Sequence, residues 1–180
     1  MAIRRVLKLF EFNTRIMSKS RHITETPATQ WLKQHRIVFG EHPYDYVDHG
    51  GAMEAARQLA VDPHNIAKTL IMEDELARPL IVLMHGDCDV STKNLARQIN
   101  AKKVSFCAAA TAQKHSGYLV GGTSPFATRK AMPVWIEESL LTYATLYLNG
   151  GRRGYMISVA AAVLTEQLGA RPVQVALPKK

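Results

Sequence analysis

The sequence predicts an α+β fold: one domain with a mixed, mostly antiparallel sheet, curled toward a barrel and flanked by helices. Three observations lead there. Short apolar runs come in pairs, joined by tight charged or glycine-rich turns, as in hairpins. Helix-start signals fall between those pairs and not after every run, so there is no strict strand–helix alternation. The chain of 180 residues suffices for one domain with a sizeable core, and it shows no internal repeat.

The elements follow in order. Residues 1–16 (MAIRRVLKLFEFNTRI) are basic, with Glu11 their one acid, and they lack the apolar core and cleavage site of a secretory signal. Residues 1–22 are expected to be an extended or disordered leader, and residues 23–180 the folded domain. Thr26-Pro27 places an N-cap before a proline at the first helical position, so a helix runs through Trp31 and Leu32 to about His35. Residues 37–46 read as a strand, with Pro43 marking an edge or bend. Gly50 and Gly51 break the chain before a helix over 52–60, and Asp62-Pro63 opens a turn. Residues 68–72 (KTLIM) and 79–84 (PLIVLM) form a hairpin of buried strands across a charged turn. Ser91 caps a helix through Leu95 and Ile99. A short strand at 104–107 and a helix at 108–115 precede a glycine-punctuated loop, 117–125. Strands at 134–136 and 143–148 lead to a tight turn at 149–154. A strand from Ile157, a helix over 160–168 stopped by Gly169, and a strand at 173–176 complete the chain.

Composition narrows the function. Apolar residues make up 47% and charged residues 21%, the balance of a soluble globular domain. Nothing approaches the apolar run of about 18 residues that a membrane span needs. The net charge of +8 comes from scattered Lys and Arg. Such a surface favours a polyanionic partner, because neutralising phosphates releases counterions, although it also fits a plain basic exterior. Cys88 and Cys107 form no CxxC and no zinc spacing, so they read as free thiols in a reducing cytosol. None of the seven His sits at a metal-ligand spacing; His42 and His49, which flank the Gly50 break, read as loop imidazoles. No metal and no organic cofactor is expected.

Familiar catalytic motifs are missing: there is no P-loop, no GxSxG, no HExxH and no kinase signature. Three stretches carry chemistry instead. Lys68, followed by Thr69, opens a buried strand and places an ammonium where it can hold an ester carbonyl, a carboxylate or a phosphate. In residues 117–125, Gly121 and Gly122 let main-chain N–H groups approach a ligand, and Thr123 and Ser124 add hydroxyls. In residues 149–154, two glycines precede Arg152 and Arg153, whose forks match phosphate oxygens. Each has a plainer reading: a solvated lysine, an ordinary turn, a basic hairpin tip. No nucleophile–base pair is recognisable. The residues alone therefore reach a basic α+β domain with a candidate anion or ester site, either enzyme or binding module.

IAKTLI at 66–71, AKKV at 101–104, GYLVGGTSP at 117–125 and GGRRG at 150–154, in this order and spacing, resemble the YbaK family of aminoacyl-tRNA editing domains. The resemblance spans about residues 26–177. It implies a barrel-like mixed sheet with flanking helices, and hydrolysis of the ester between an amino acid and the terminal adenosine of tRNA. Cys-tRNA(Pro) is the implied substrate and prolyl-tRNA synthetase an implied partner, in the cytoplasm. Carried over, Lys68 matches the family's essential lysine. Tyr44, Thr69, Gly121 and Gly122 match the family's substrate-holding positions; Thr123, Asn149 and Gly150 beside them are expected to bind substrate too, and Arg152 and Arg153 to contact the tRNA backbone. In the cysteine-removing branch the substrate's own thiol attacks the ester, which accounts for the missing nucleophile. The chain departs from that branch at Asn149, where its members carry Ser, and at Met156, where they carry Asp. The alternative is an adaptor of the same fold that binds tRNA or a synthetase without turnover.

Overall fold

The computed structural model describes residues 25–179; the expected leader lies outside the described residues. These residues form α1 (Pro27–Gln34), β1 (Gly40–Pro43), α2 (Gly51–Leu59), β2 (Ala67–Asp74), β3 (Pro79–His85), β4 (Cys88–Val90), α3 (Thr92–Gln98), β5 (Val104–Phe106), α4 (Ala109–Ser116), β6 (Val134–Glu137), β7 (Thr145–Arg152), β8 (Tyr155–Ala160), α5 (Ala162–Leu168), β9 (Arg171–Val173) and β10 (Ala176–Pro178). Short 3-10 turns at Pro63–Asn65 and Glu138–Thr142 connect them. Among the described residues, no helix is long and apolar enough to cross a membrane.

The strands divide into a five-stranded sheet in the order β5-β2-β3-β6-β9, a three-stranded sheet β1-β8-β7, and the pair β10-β4. Only β3–β6 and β6–β9 are parallel, so the sheet is mixed and mostly antiparallel as the sequence predicts. It does not close into a barrel. On the side of β2 away from β3, β5 pairs only with Met72, Glu73 and Asp74, and a single bridge joins Ile66 to Tyr147 of β7. The stretch of β2 between these contacts is an open edge, and a cavity lies there.

Every residue of β3 is buried, and strand alternation sends its side chains into two cores. Ile81 and Leu83 pack with Ile71, Phe126, Ile136 and Tyr155 on one face. Leu80, Val82 and Met84 pack with Met72, Leu95 and Val173 on the other. The strand expected over 37–46 shrinks to β1, an edge strand that pairs antiparallel with β8 and ends at Pro43, which cannot donate to a ladder.

Helix α1 begins as its sequence predicts. Thr26 and Thr29 form a reciprocal capping box: the Thr29 N–H donates to Thr26 Oγ1 at 3.1 Å, and the Thr26 N–H donates to Thr29 Oγ1 at 2.9 Å. The Thr26 hydroxyl also donates to the Gly150 carbonyl at 2.5 Å, tying the helix to the β7–β8 turn. Thr26→Ala removes cap and tether together and should cost about 2 kcal/mol in urea denaturation, with Thr26→Ser recovering most of it.

Candidate active site

The open edge of β2 forms one wall of a cavity of about 520 Å³, lined by residues 66–71 together with parts of α2, β5, α4, the 117–125 loop and the β7–β8 hairpin. Because the cavity runs along the strand edge and not over one face, Lys68 and Thr69 both reach it although their side chains alternate. The Cys107 N–H donates to the Ile71 carbonyl at this edge, and the same alternation turns the main-chain groups of Thr69 toward the cavity. Thr69 Oγ1 is buried and has no hydrogen-bond partner among the described residues, and the same holds for Asn65 Oδ1.

Lys68 is half-buried, and its Nζ donates to the Cys88 carbonyl at 2.5 Å. Burial pushes its pKa below the ordinary lysine value and the neighbouring Lys179 adds to this, whereas Asp89, Cys88 and Asp87 work in the opposite sense. The anchoring carbonyl belongs to β4, which β10 holds in place through Ala176↔Val90, Leu177↔Asp89 and Pro178↔Cys88. The C-terminal strand thus positions the lysine.

In the 117–125 loop, Gly121 has φ +90, a conformation that excludes side chains, and it lines the cavity beside Tyr46 and Arg153. Gly122 lies outside the lining. Its N–H donates to the Leu119 carbonyl at 2.9 Å, so it is not available to a ligand, and a Cβ there would meet Arg152 main-chain atoms at 2.6–2.8 Å. It is a packing glycine, contrary to the substrate-holding part expected from the sequence. Thr123 lines the cavity and is buried. Gly150 also falls outside the lining, because its α-carbon rests on the Tyr155 ring, where a Cβ would come within 2.5 Å.

The two arginines separate. The Arg153 guanidinium lies over the Tyr46 ring at 5.0 Å, and its Nε donates to the Val120 carbonyl at 2.9 Å, clasping two loops across the cavity mouth. Arg152 is not in the cavity lining; it stacks on Tyr155 at 4.9 Å and stays exposed. Tyr44 lines the cavity, its main-chain N–H donating to the Gly154 carbonyl, and burial raises its phenol pKa. Tyr46, which the sequence reading passed over, lines the cavity too.

Asn149 and Met156, the two departures noted in the sequence, are direct cross-strand partners that both line the cavity. Met156 packs with Ala55, Ala56 and Ile66, so this part of the wall is apolar. Val47, Phe106 and Val120 rim the mouth and are unusually exposed for apolar side chains. Asp48 and Glu54 add carboxylates to the lining; Glu54 is held at about 2 by hydrogen bonds from Arg57 and Gln58.

The sequence reading also missed a second polar cluster. His64 and His85 stack with ring centroids 3.6 Å apart, and His64 Nδ1 lies 2.8 Å from Asp87 Oδ1. Its members come from a turn and a strand end that are distant in sequence, so no spacing announces them.

Comparison with known proteins places this architecture. The model of the aminoacyl-tRNA editing domain matches residues 50–176, a span that includes Lys68, the glycine loop and the β7–β8 hairpin. The chain is 27% identical over 145 residues to a protein of Enterococcus faecalis (strain ATCC 700802 / V583) named "Putative Cys-tRNA(Pro)/Cys-tRNA(Cys) deacylase EbsC", covering 80% of this chain and 88% of that one. Among solved structures, the hypothetical protein APE2540 superposes with a TM-score of 0.77 at 24% identity, over 84% of this chain and 99% of its own. A structure described as "a putative trans-editing enzyme for prolyl tRNA synthetase" superposes with a TM-score of 0.73 at 18% identity, over 84% of this chain and 95% of its own. At these identities the two structures establish a shared fold. The family match reaches further: this chain is a member of the aminoacyl-tRNA editing domain family.

Proposed function

We propose that the protein is a trans-acting aminoacyl-tRNA deacylase, a carboxylic ester hydrolase whose first candidate substrate is Cys-tRNA(Pro). The observation that carries this reading is the convergence of Lys68, Thr69, Gly121 and Asn149 on one open cavity in a chain of the editing family. Lys68 supplies positive charge where the ester carbonyl develops negative charge. Thr69 Oγ1, buried and unpartnered, offers a hydrogen bond to the bound ester. The apolar wall at Met156 and Ile66 accepts the amino acid side chain. Asp48 at the mouth offers a carboxylate to the α-ammonium group. The exposed apolar rim suits a terminal base, and the net charge of +8 suits the tRNA body. Tyr44 and Thr123 complete the substrate wall, and Arg152 and Arg153 are the proposed contacts to tRNA phosphates. Prolyl-tRNA synthetase is the proposed partner that supplies the mischarged tRNA.

Met156 favours one second reading. A thioether cannot accept a strong hydrogen bond or balance the Lys68 charge as a carboxylate can, which suits an adaptor that binds tRNA without turnover. A deacylation panel that includes Cys-tRNA(Pro) and Ala-tRNA(Pro) separates the two. Enzyme-dependent ester cleavage on at least one member is expected. Salt-sensitive tRNA binding without cleavage across the whole panel would select the adaptor.

A further inference from the structure

We propose that His64 Nδ1, the Asp87 carboxylate and Cys88 Sγ form a binding site for one divalent cation of the zinc class. Their ligand atoms all lie within 4.8 Å of one another. His64 Nδ1 is 2.8 and 3.0 Å from the two Asp87 oxygens, and Cys88 Sγ is 3.6 Å from Oδ1. A tetrahedral ion with bonds of about 2.0–2.3 Å needs ligand–ligand edges of roughly 3.3–3.7 Å, so small side-chain rotations open the cluster around a metal.

The site is built and not a chance meeting of surface groups. Asp62 Oδ1 accepts the His64 N–H at 2.9 Å and pins the turn that carries the imidazole. The Gly86 N–H donates to the Pro63 carbonyl at 3.1 Å, locking the Asp87 turn against the His64 turn. A Cβ on Gly86 would sit 2.6 Å from that oxygen, so the approach requires glycine. Behind the His64 ring stands His85, fully buried and stacked at an interplanar angle of 8°. The His85 Nδ1–H donates to the His64 carbonyl at 2.5 Å, and Nε2 on the far side of the ring lies within hydrogen-bond distance of Ser139 Oγ, at 2.7 Å. One ligand ring is therefore held on its turn from behind, with Nδ1 directed at Asp87.

The donor set selects the ion. One thiolate, one imidazole and one carboxylate suit zinc and cobalt, whereas magnesium and calcium require oxygen shells. The side chains of His64 and Asp87 are each 36% exposed, which leaves an entry path and room for water at the fourth position. Binding displaces the Cys88 thiol proton to solvent and moves the His64 proton to Nε2. A dication, a thiolate and a carboxylate then sum to zero charge, a favourable state for a half-buried site.

The test is titration of the full-length protein with cobalt(II) under reducing conditions. One equivalent should produce an intense near-ultraviolet thiolate-to-cobalt band with tetrahedral visible bands, and zinc should displace it. Cys88→Ser should abolish the band, and Cys107→Ser should leave it intact. His64→Gln and Asp87→Asn should each weaken cobalt binding at least about tenfold. Absence of the band in the wild type would overturn the proposal, as would its survival in a Cys88→Ser protein whose circular dichroism is native. Unaltered affinity in both His64→Gln and Asp87→Asn would do the same. The readout does not involve ester cleavage, so its failure leaves the editing function untouched.

Discussion

Lys68→Ala should lower the enzyme-dependent deacylation rate by about a hundredfold or more, the scale set by removing one preorganised group that stabilises developing charge. The fold should survive. The ammonium is half-buried with its pKa lowered, so its burial costs stability at neutral pH and Lys68→Met should keep the thermal midpoint within about 4 °C of the wild type. The pH profile gives a sharper check. A lysine with lowered pKa is charged below that value and loses its charge as pH rises through it. After subtraction of base-catalysed hydrolysis, the enzymatic rate should therefore fall on the alkaline side earlier than a free lysine would dictate. Lys68→Arg stays charged throughout, so whatever activity it retains should lack that fall. Wild-type rates in Lys68→Ala would dispose of the assignment.

Local signals were legible where one stretch of chain decides its own conformation. Thr26-Pro27 starts α1 because capping needs only four consecutive residues. The hairpin of β2 and β3 follows from two apolar runs and a charged turn. Gly169 ends α5 in a left-handed conformation, as expected of a glycine after a helical segment. What stayed hidden depends on register and on meetings across the chain. The open edge of β2 exists because β5 is short and pairs only at residues 72–74, a length that no periodicity encodes. Asn149 faces Met156 because the β7–β8 register shifts between Asn149 and Arg152. Gly122 looks like a ligand-binding glycine in one dimension; only the fold reveals the Arg152 backbone against its α-carbon. His64 and Asp87 meet because the whole β2–β3 hairpin separates them in sequence and returns the chain to its starting point.

Gly122→Ala is expected to be the most damaging small substitution in the loop. The added methyl would lie 2.6 Å from the Arg152 carbonyl carbon, 2.7 Å from the Arg153 nitrogen and 2.8 Å from the Arg152 α-carbon. These are main-chain atoms, so no rotamer change relieves the contact; either the loop or the hairpin must move. Overpacking of this kind costs about 2–3 kcal/mol, measurable as a lower urea midpoint with an unchanged slope. Function should suffer as well, since displacing Gly122 shifts Gly121 and loosens the bond from Arg153 to the Val120 carbonyl at the cavity mouth. Gly169→Ala supplies the control. Its φ of +61 is left-handed, unlike that of Gly122, and nothing lies within 4 Å of the added carbon, so backbone strain of about 1 kcal/mol is the whole cost and the distant cavity stays intact. If Gly122→Ala loses no more stability than Gly169→Ala, the close packing of loop on hairpin contributes little beyond what the strained control shows. A larger loss at Gly122, accompanied by slower deacylation, assigns that glycine to holding the cavity-lining loop against the β7–β8 turn.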